Sequence, residues 1–343
     1  MKRFKQKKIV LGVALLYVLS VAIRAVGIHN KWRVEEQTTD QGIYSTNYPI
    51  RFLSYKDQKA IVKDENGVYM IDQSKKTNFT KGEEVFYSPV AIGLGSLRDL
   101  QQANKYSDSI ALKSFLINAK WLMSNQDSLG RIPFNTPVSS LDKKIEPPWY
   151  SALAQGLALS VFSRAYEISG DTVFCRAANM GLESFEIKIA EGGIMSSERD
   201  FEAFLEEYPT NPPMHVLNGF NYSILGLYDA ASILKNQKAQ LLFEKYSNVL
   251  ADKISEFDLG HWSAYSKDVP SLRNHYTYCN PWYHKLHIVQ LQVLYKQTRK
   301  EELRQYADEF RKDLKGPVPI ILYPSYIVYS DAVWIMNFIK RAI

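Results

Sequence analysis

Two stretches of this sequence gather groups that hydrogen-bond and exchange protons at the mouth of a helix. In the first, Glu206-Glu207-Tyr208-Pro209 leads within a few residues into an apolar helical repeat, so a carboxylate pair and a tyrosine stand before a helix that opens near Val216. Pro209, Pro212 and Pro213 stiffen the connection and hold Glu207 and Tyr208 relative to that mouth. In the second, Asn280-Pro281-Trp282-Tyr283-His284 opens another helix, with His284 and His287 one turn apart. A His-x-x-His pair is half of a metal site, but no third ligand of matching spacing accompanies it, which favours a hydrogen-bonding role. Five of the six histidines lie between His215 and His287, and the 22 tyrosines crowd the connections, as in His261-Trp262-Ser263-Ala264-Tyr265. A cleft lined by Trp, Tyr and His offers flat faces and hydroxyls that suit a carbohydrate ring. The alternative, tyrosines that cap a helical core with their hydroxyls in solvent, stays open on composition alone.

The elements that must position these groups are mostly helical. After Ser96 the apolar residues Leu112, Phe115, Leu116, Ala119, Leu122 and Met123 recur at three and four, the stripe of an amphipathic helix. That helix is predicted over 108–124, and further ones over 151–168, 172–189, 216–234, 238–254, 282–297 and 301–314, with loops at Gly130, Gly170, Gly192-Gly193 and 258–281. Consecutive helices with no interleaved strand point to α-hairpins in a layer or toroid. Before them, IRFLSY, KAIVKD, GVYMID and EVFYSPV read as strands of a small β-rich module over 29–95, leaving 96–343 as the helical domain. Within the helix after Val216, the apolar face is Leu217, Phe220, Ile224 and Leu227, with Gly219 and Gly226 as packing features. Glu206 reads as a solvated partner of a nearby base, and Trp149 as a helix-start residue or a sugar platform.

Charge and cysteine usage exclude several classes. The formal charge of +6 is carried by Lys2, Arg3, Lys5, Lys7, Lys8 and Arg24, and the rest of the chain balances 36 basic against 36 acidic residues. A neutral body lacks the footprint of phosphate-backbone binding, so no nucleic-acid partner is expected. Cys175 and Cys279 are too few for a disulfide-stapled scaffold or a four-cysteine zinc module. The basic flank precedes fifteen apolar or small residues from Ile9 to Ile23, so residues 1–28 read as a signal anchor, with signal cleavage near Ala25 and Gly27 as the alternative. Either way the flank stays cytoplasmic and the body lies outside or in a lumen.

Three ordered segments carry a family resemblance: Pro147 to Tyr166 (PPWYSALAQGLALSVFSRAY), LEEYP with VLNGFNYSILGLYD, and YHKLHIVQL from Tyr283. With YSPVAIGLG from Tyr87, these resemble the D-glucuronyl C5-epimerases, which convert glucuronate to iduronate in heparan-type polysaccharides. The resemblance implies a β-rich module, an (α/α) barrel-like domain, a signal anchor, a glucuronate-containing polysaccharide as substrate and a homodimer. It also implies that Tyr208 and Tyr283 match acid/base tyrosines, that Glu207 acts as or tunes a base, and that Tyr265 matches a third active-site tyrosine. In animal members an arginine follows that tyrosine closely; here Ser266, Lys267 and Asp268 stand instead, so Lys267 or Arg273 would supply the cation. Gln155, Asn218, His284 and His287 are candidate substrate contacts.

C5 epimerisation removes a weakly acidic proton beside a carboxylate and returns one to the opposite face, so two acid/base groups must flank the ring. No redox cofactor or catalytic metal is called for, and a structural calcium is left open. Tyrosine, with an ordinary pKa of about 10, donates readily but acts as a base only with help. The competing readings are a toroid lyase or hydrolase that cuts the chain, and a glycan-binding relative without turnover.

Overall fold

Among the described residues four helical hairpins form the body of the protein, and each turns on a two-residue connection of the same kind. The computed structural model describes residues 2–31, 60–72, 85–140, 143–197, 203–267 and 279–316, with scattered positions from 318 to 332. The hairpins pair α2 (Pro89–Tyr106) with α3 (Ser109–Ser124), α4 (Ala152–Ser169) with α5 (Thr172–Glu183), α6 (Leu217–Leu234) with α7 (Gln237–Lys253) and α8 (Pro281–Thr298) with α9 (Glu301–Asp313). At each turn the first residue is left-handed: Ser107, Gly170, Lys235 and Arg299 all have φ between 54° and 68°. The second residue caps the next helix, and Asp108, Asp171 and Asn236 do so by accepting backbone N–H groups of the first turn.

Burial separates an inner from an outer ring. In α4 every residue from Ala152 to Ala165 is buried, and α6 is buried almost all round. α9 buries Leu303, Ala307 and Phe310, a single stripe at i, i+4 and i+7. Inner helices α2, α4, α6 and α8 pack in sequence with α3, α5, α7 and α9 outside them, the arrangement of an (α/α) toroid. The closest approach is between α4 and α6: a methyl group on Gly226 would lie 2.1 Å from the carbonyl oxygen of Gly156, and one on Gly156 would lie 2.5 Å from that of Tyr222. Gly226→Ala is expected to cost at least about 2–3 kcal/mol in urea unfolding, because backbone cannot yield as a side chain can. Gly170→Ala, at a left-handed turn with open space around it, is expected to cost only about 1–2 kcal/mol. The same two helices share a buried ion pair, Arg164 Nη2 to Asp229 Oδ1 at 3.0 Å, with Ser160 Oγ donating to Asp229 Oδ2 at 2.6 Å. Arg164 is thus a structural strut.

The predicted helices are present, and α2 is an addition to them. Its first two residues read in sequence as the end of a strand, but Ser88 accepts the Ala91 N–H and Pro89 occupies the first turn, which starts a helix there. The strand before it is only β3 (Val85–Phe86). With β1 (Ile61–Lys63) and β2 (Tyr69–Asp72) it forms an antiparallel sheet in the order β1-β2-β3, registered Ile61 to Ile71 and Ile71 to Phe86. The described part of this sheet packs against the helices. Tyr69 packs into the main core, its ring where a side chain on Gly95 would sit, and its hydroxyl donates to Asp99 at 2.8 Å. The expected boundary at 95/96 therefore falls inside α2. IRFLSY lies outside the described residues.

Two short hairpins complete the body: β4 (Val138–Ser140) with β5 (Lys143–Ile145), and β6 (Met195–Ser196) with β7 (Phe204–Leu205). Apart from these, α1 (Lys2–Lys31) is one continuous helix. Among the described residues, whose side chains in α1 run from 12 to 27, no helix is long and apolar enough to cross a membrane. Cys175 and Cys279 are both free.

Candidate active site

Strand alternation sends the two adjacent carboxylates in opposite directions. Leaving β7, Glu206 turns inward. It is fully buried, accepts Ser196 Oγ at 2.7 Å and the His215 N–H at 2.9 Å, and pairs with His215 Nδ1. Its backbone carbonyl accepts the Ala152 N–H at 2.9 Å, at the start of α4. The solvated partner expected at this position is instead the pin that closes the 209–215 loop, which holds His215 at a φ of 51°.

Glu207 faces the other way, toward the first turn of α6. Its Oε2 accepts Asn218 Nδ2 at 3.1 Å, and it is only 6% exposed. Loss of water pushes its carboxyl up to about 7, against the hydrogen bonds from Tyr208 and Asn218 and with a smaller push from the Glu206 charge. Gly219 makes the approach possible: a methyl there would lie 2.6 Å from Glu207 Cβ and 2.7 Å from Oε2. Its role is therefore not helix packing alone. Gly219→Ala is expected to displace Glu207 and reduce turnover at least tenfold at a stability cost of about 1–3 kcal/mol, read from kcat beside a thermal melt.

Tyr265 reaches the same place from a different segment. Residues 214–217 and 265–267 pair as short strands, through Leu217 N–H to the Tyr265 carbonyl at 3.1 Å and Lys267 N–H to that of Met214 at 3.1 Å. This docks Tyr265 beside the mouth of α6. Its hydroxyl bonds to Tyr208, and Tyr208 bonds to Glu207. A carboxylate only accepts, so Tyr208 donates to Glu207 and is left to accept from Tyr265. Burial, then the charges of Glu207, Tyr208 and Tyr283, hold the Tyr265 hydroxyl well above the ordinary tyrosine value, so it keeps its proton. Tyr283 closes the group, with its ring edge-on to Tyr265 at 4.9 Å between centroids. It sits in the first turn of α8, where Asn280 accepts the N–H groups of Trp282 and Tyr283 and Pro281 starts the helix.

Behind these residues the histidines act as struts. The His284 ring stacks on Trp262 at 3.7 Å, and its Nε2 donates to the Phe310 carbonyl at 2.8 Å. Its Nδ1 therefore accepts, from the Ser263 N–H at 3.1 Å and Oγ at 2.8 Å. Ser263 has then spent its proton, so His287 Nδ1 donates to Ser263 Oγ at 2.9 Å. Burial pulls His284 down to about 3 and His287 well below the usual imidazole value, so both are neutral. They lock the Trp262–Tyr265 segment onto α8 and thereby set Tyr265 against Tyr283.

Several expected substrate contacts are placed elsewhere. Both ring nitrogens of His284 are occupied by protein groups, and His287 is fully buried. Gln155 is 2% exposed and ties α4 to its surroundings, accepting the Ile132 N–H and donating to the Gly130 carbonyl and Ser184 Oγ. Asn218 is bound to Glu207 and positions it. Lys267 pairs with Glu256 at 3.3 Å, and Arg273 lies outside the described residues. Trp149, stacked on Phe134 at 4.0 Å, forms a wall 6.1 Å from the Tyr208 ring. Among the described residues no three His, Cys, Asp or Glu side chains gather to hold a metal ion.

The site segments coincide with a known family. The D-glucuronyl C5-epimerase C-terminus family model matches residues 126–312. A D-glucuronyl C5-epimerase of Caenorhabditis elegans is 29% identical over 211 residues, 57% of this chain and 34% of that protein. An uncharacterised protein of Methanocaldococcus jannaschii is 29% identical over 186 residues, 53% of this chain and 56% of that protein. The chain thus spans between a third and somewhat over half of the length of these relatives. In fold it is similar to cellobiose 2-epimerase from Bacillus thermoamylovorans B4167, with a TM-score of 0.50 at 11% identity over 80% of this chain and 74% of that one. It is also similar to an unsaturated glucuronyl hydrolase from Bacillus sp. GL1, with a TM-score of 0.47 at 15% identity over 66% and 62% of the two chains. With the family match reaching over more than half of its length, this chain belongs to the D-glucuronyl C5-epimerase C-terminus family.

Proposed function

We propose that the protein is a polysaccharide uronate C5-epimerase, converting D-glucuronate residues to L-iduronate outside the cytoplasm behind an N-terminal anchor. The observation that carries this reading is the convergence of Glu207, Tyr208, Tyr265 and Tyr283 from three separate segments, with the Glu207 carboxyl pushed up to about 7. A carboxyl of that strength is half ionised at neutral pH and accepts a proton through the Tyr208 hydroxyl that donates to it.

The uronate sits with C5 between Tyr208 and Tyr283. As the C5–H bond breaks, Tyr208 takes the proton while passing its own to Glu207, and the electron pair of that bond spreads onto the substrate carboxylate. Tyr265, held protonated, stabilises the charge that builds on Tyr208. Tyr283 then protonates C5 from the opposite face. Substrate and product are isomers, so electrons and atoms balance within the sugar and the proton pool, and no redox cofactor is needed.

Incubation of heparosan with the protein tests the reading. New iduronate signals in the proton NMR spectrum at unchanged chain length are expected. Shortened chains with ultraviolet-absorbing unsaturated ends would reassign the site to a lyase, and shortened saturated chains to a hydrolase.

A further inference from the structure

The apolar N-terminal helix has a partner at the other end of the chain. From Val318 to Ile339 the sequence runs 22 residues with one charged side chain, Asp331, and then reaches Lys340 and Arg341. Its described positions between 318 and 332 are helical. Val318 packs on the main core. Further along, Tyr323 and Ile327 form a separate cluster with Val21 and Ala25 of α1, against which Trp282 packs. Beyond them Asp331 takes a two-pronged ion pair from Arg24, Nη1 to Oδ1 at 3.0 Å and Nη2 to Oδ2 at 2.6 Å, and a hydrogen bond from the Tyr17 hydroxyl at 3.1 Å. The contacts move away from the body along the C-terminal segment and backwards along α1, so the two run antiparallel.

Beyond that seam the pair is apolar and uncovered. Leu15, Leu16, Val18 and Ile23 are 62–71% exposed, and Ile321 is 66% exposed. At 100° per residue these positions and Val13 spread over about 220° of α1, more than one neighbouring helix covers, and a surface of that kind belongs in hydrocarbon. Charge placement names the occupant. Lys2, Arg3, Lys5, Lys7 and Lys8 precede the apolar run of α1, while Lys340 and Arg341 follow that of the C-terminal segment. In the sequence each basic group is separated from the helical domain by its apolar run, and the anionic headgroups of a cytoplasmic leaflet are the surface that such groups meet.

We propose that α1 and the C-terminal segment form a two-helix hairpin in a lipid bilayer, so that the chain leaves and re-enters the same membrane with both ends at the cytoplasmic surface. Counted through the ion-paired Arg24, the first run extends from Ile9 to Ile28, and with Val318 to Ile339 it comes to about the 20 residues that a span requires. Arg24 and Asp331 neutralise each other in the seam, the arrangement that charged side chains need at membrane depth. Trp282, next to Tyr283, ties the hairpin to the start of α8 and holds the candidate site close to the membrane surface. The proposal extends the anchor proposed above to a second segment and is independent of the reaction.

The test uses the full chain in a Cys175→Ser background, Cys279 being buried. Lys5→Cys, Ser128→Cys and Ala342→Cys are each introduced singly and exposed to a membrane-impermeant maleimide in spheroplasts and in inverted vesicles. The expected result is labelling of Ser128→Cys from outside, and of Lys5→Cys and Ala342→Cys from the cytoplasmic side. Outside labelling of Ala342→Cys with Lys5→Cys still inside would overturn the hairpin and leave the N-terminal anchor standing. Labelling of all three from one side would overturn both. Arg24→Leu strands Asp331 and is expected to raise outside labelling at position 342 at least threefold, with Arg24→Leu/Asp331→Leu restoring it; equal labelling in all three backgrounds would overturn the ion-paired seam.

Discussion

Phenylalanine at Tyr208 or Tyr283 is expected to lower C5 proton exchange by a factor of about 10²–10⁴. Each change removes one hydroxyl oxygen. At Tyr208 that oxygen joins Tyr265 to Glu207, so its loss breaks the path from C5 to the carboxyl. At Tyr283 it removes the group proposed for the opposite face. Folding stability should fall by only about 1–2 kcal/mol in either variant, the net worth of a lost hydrogen bond or two. Both rings remain to fill their places, Tyr208 beside Trp149 and Tyr283 against Tyr265. Proton exchange followed by NMR, with urea unfolding of the same samples, separates the two effects. Loss of activity in step with loss of fold would contradict a catalytic assignment.

Glu207→Gln is expected to abolish turnover and to change the pH dependence of stability. In the folded protein this carboxyl is raised to about 7, above the ordinary value of 4.5, because burial disfavours its charge. Below pH ~4.5 folded and unfolded chains both hold the proton, and the burial carries no ionisation penalty. As the pH rises toward 7 the unfolded chain releases its proton first, so stability falls, by up to about 3 kcal/mol above pH ~7. Glutamine does not titrate. The variant should therefore gain on the wild type between pH 5 and pH 8 by an amount approaching that figure. A stability difference between variant and wild type that is the same at the two pH values would mean that Glu207 is not raised. The wild-type rate should climb through pH ~7 as the carboxyl ionises and becomes a base.

The helices were legible because their apolar residues recur at helical spacing whether or not the other faces are exposed. Even α4 and α6, buried nearly all round, are bounded by turn residues that a periodic pattern cannot cross. The start of α2 was not legible in this way: the β-branched and aromatic run Val85-Phe86-Tyr87 reads as a strand, and only Ser88 before Pro89, a cap followed by a first-turn proline, marks the helix. The boundary between sheet and helical domain failed for a related reason. Tyr69 reaches over Gly95 to Asp99, a contact across the proposed divide that no local pattern reports.

In the site, Glu206 and Glu207 are the same residue type side by side, and sequence spacing cannot say that one is a buried pin and the other lines the site. Their division follows from strand geometry and from two partners: His215 closes the loop on Glu206, while Gly219 opens room for Glu207. Gln155 and His284 look like ligand contacts in sequence because they are polar and close to the motifs. They stand on the rear of inner helices, where a closed packing layer needs hydrogen-bonded struts. Tyr265 was named through family resemblance, and its approach to Tyr283 depends on the Trp262–Ser263–His284 stack some twenty residues apart in sequence.

The most direct test of the account is deuterium incorporation at C5 of glucuronate residues when heparosan is incubated with the full-length protein in deuterated water. The account predicts deuterium at C5 in both glucuronate and newly formed iduronate, at unchanged chain length, with none in the presence of Tyr208→Phe. Polymer that keeps its C5 protons after prolonged incubation with folded wild-type protein would contradict proton exchange by the Glu207–Tyr208–Tyr265–Tyr283 group on this substrate.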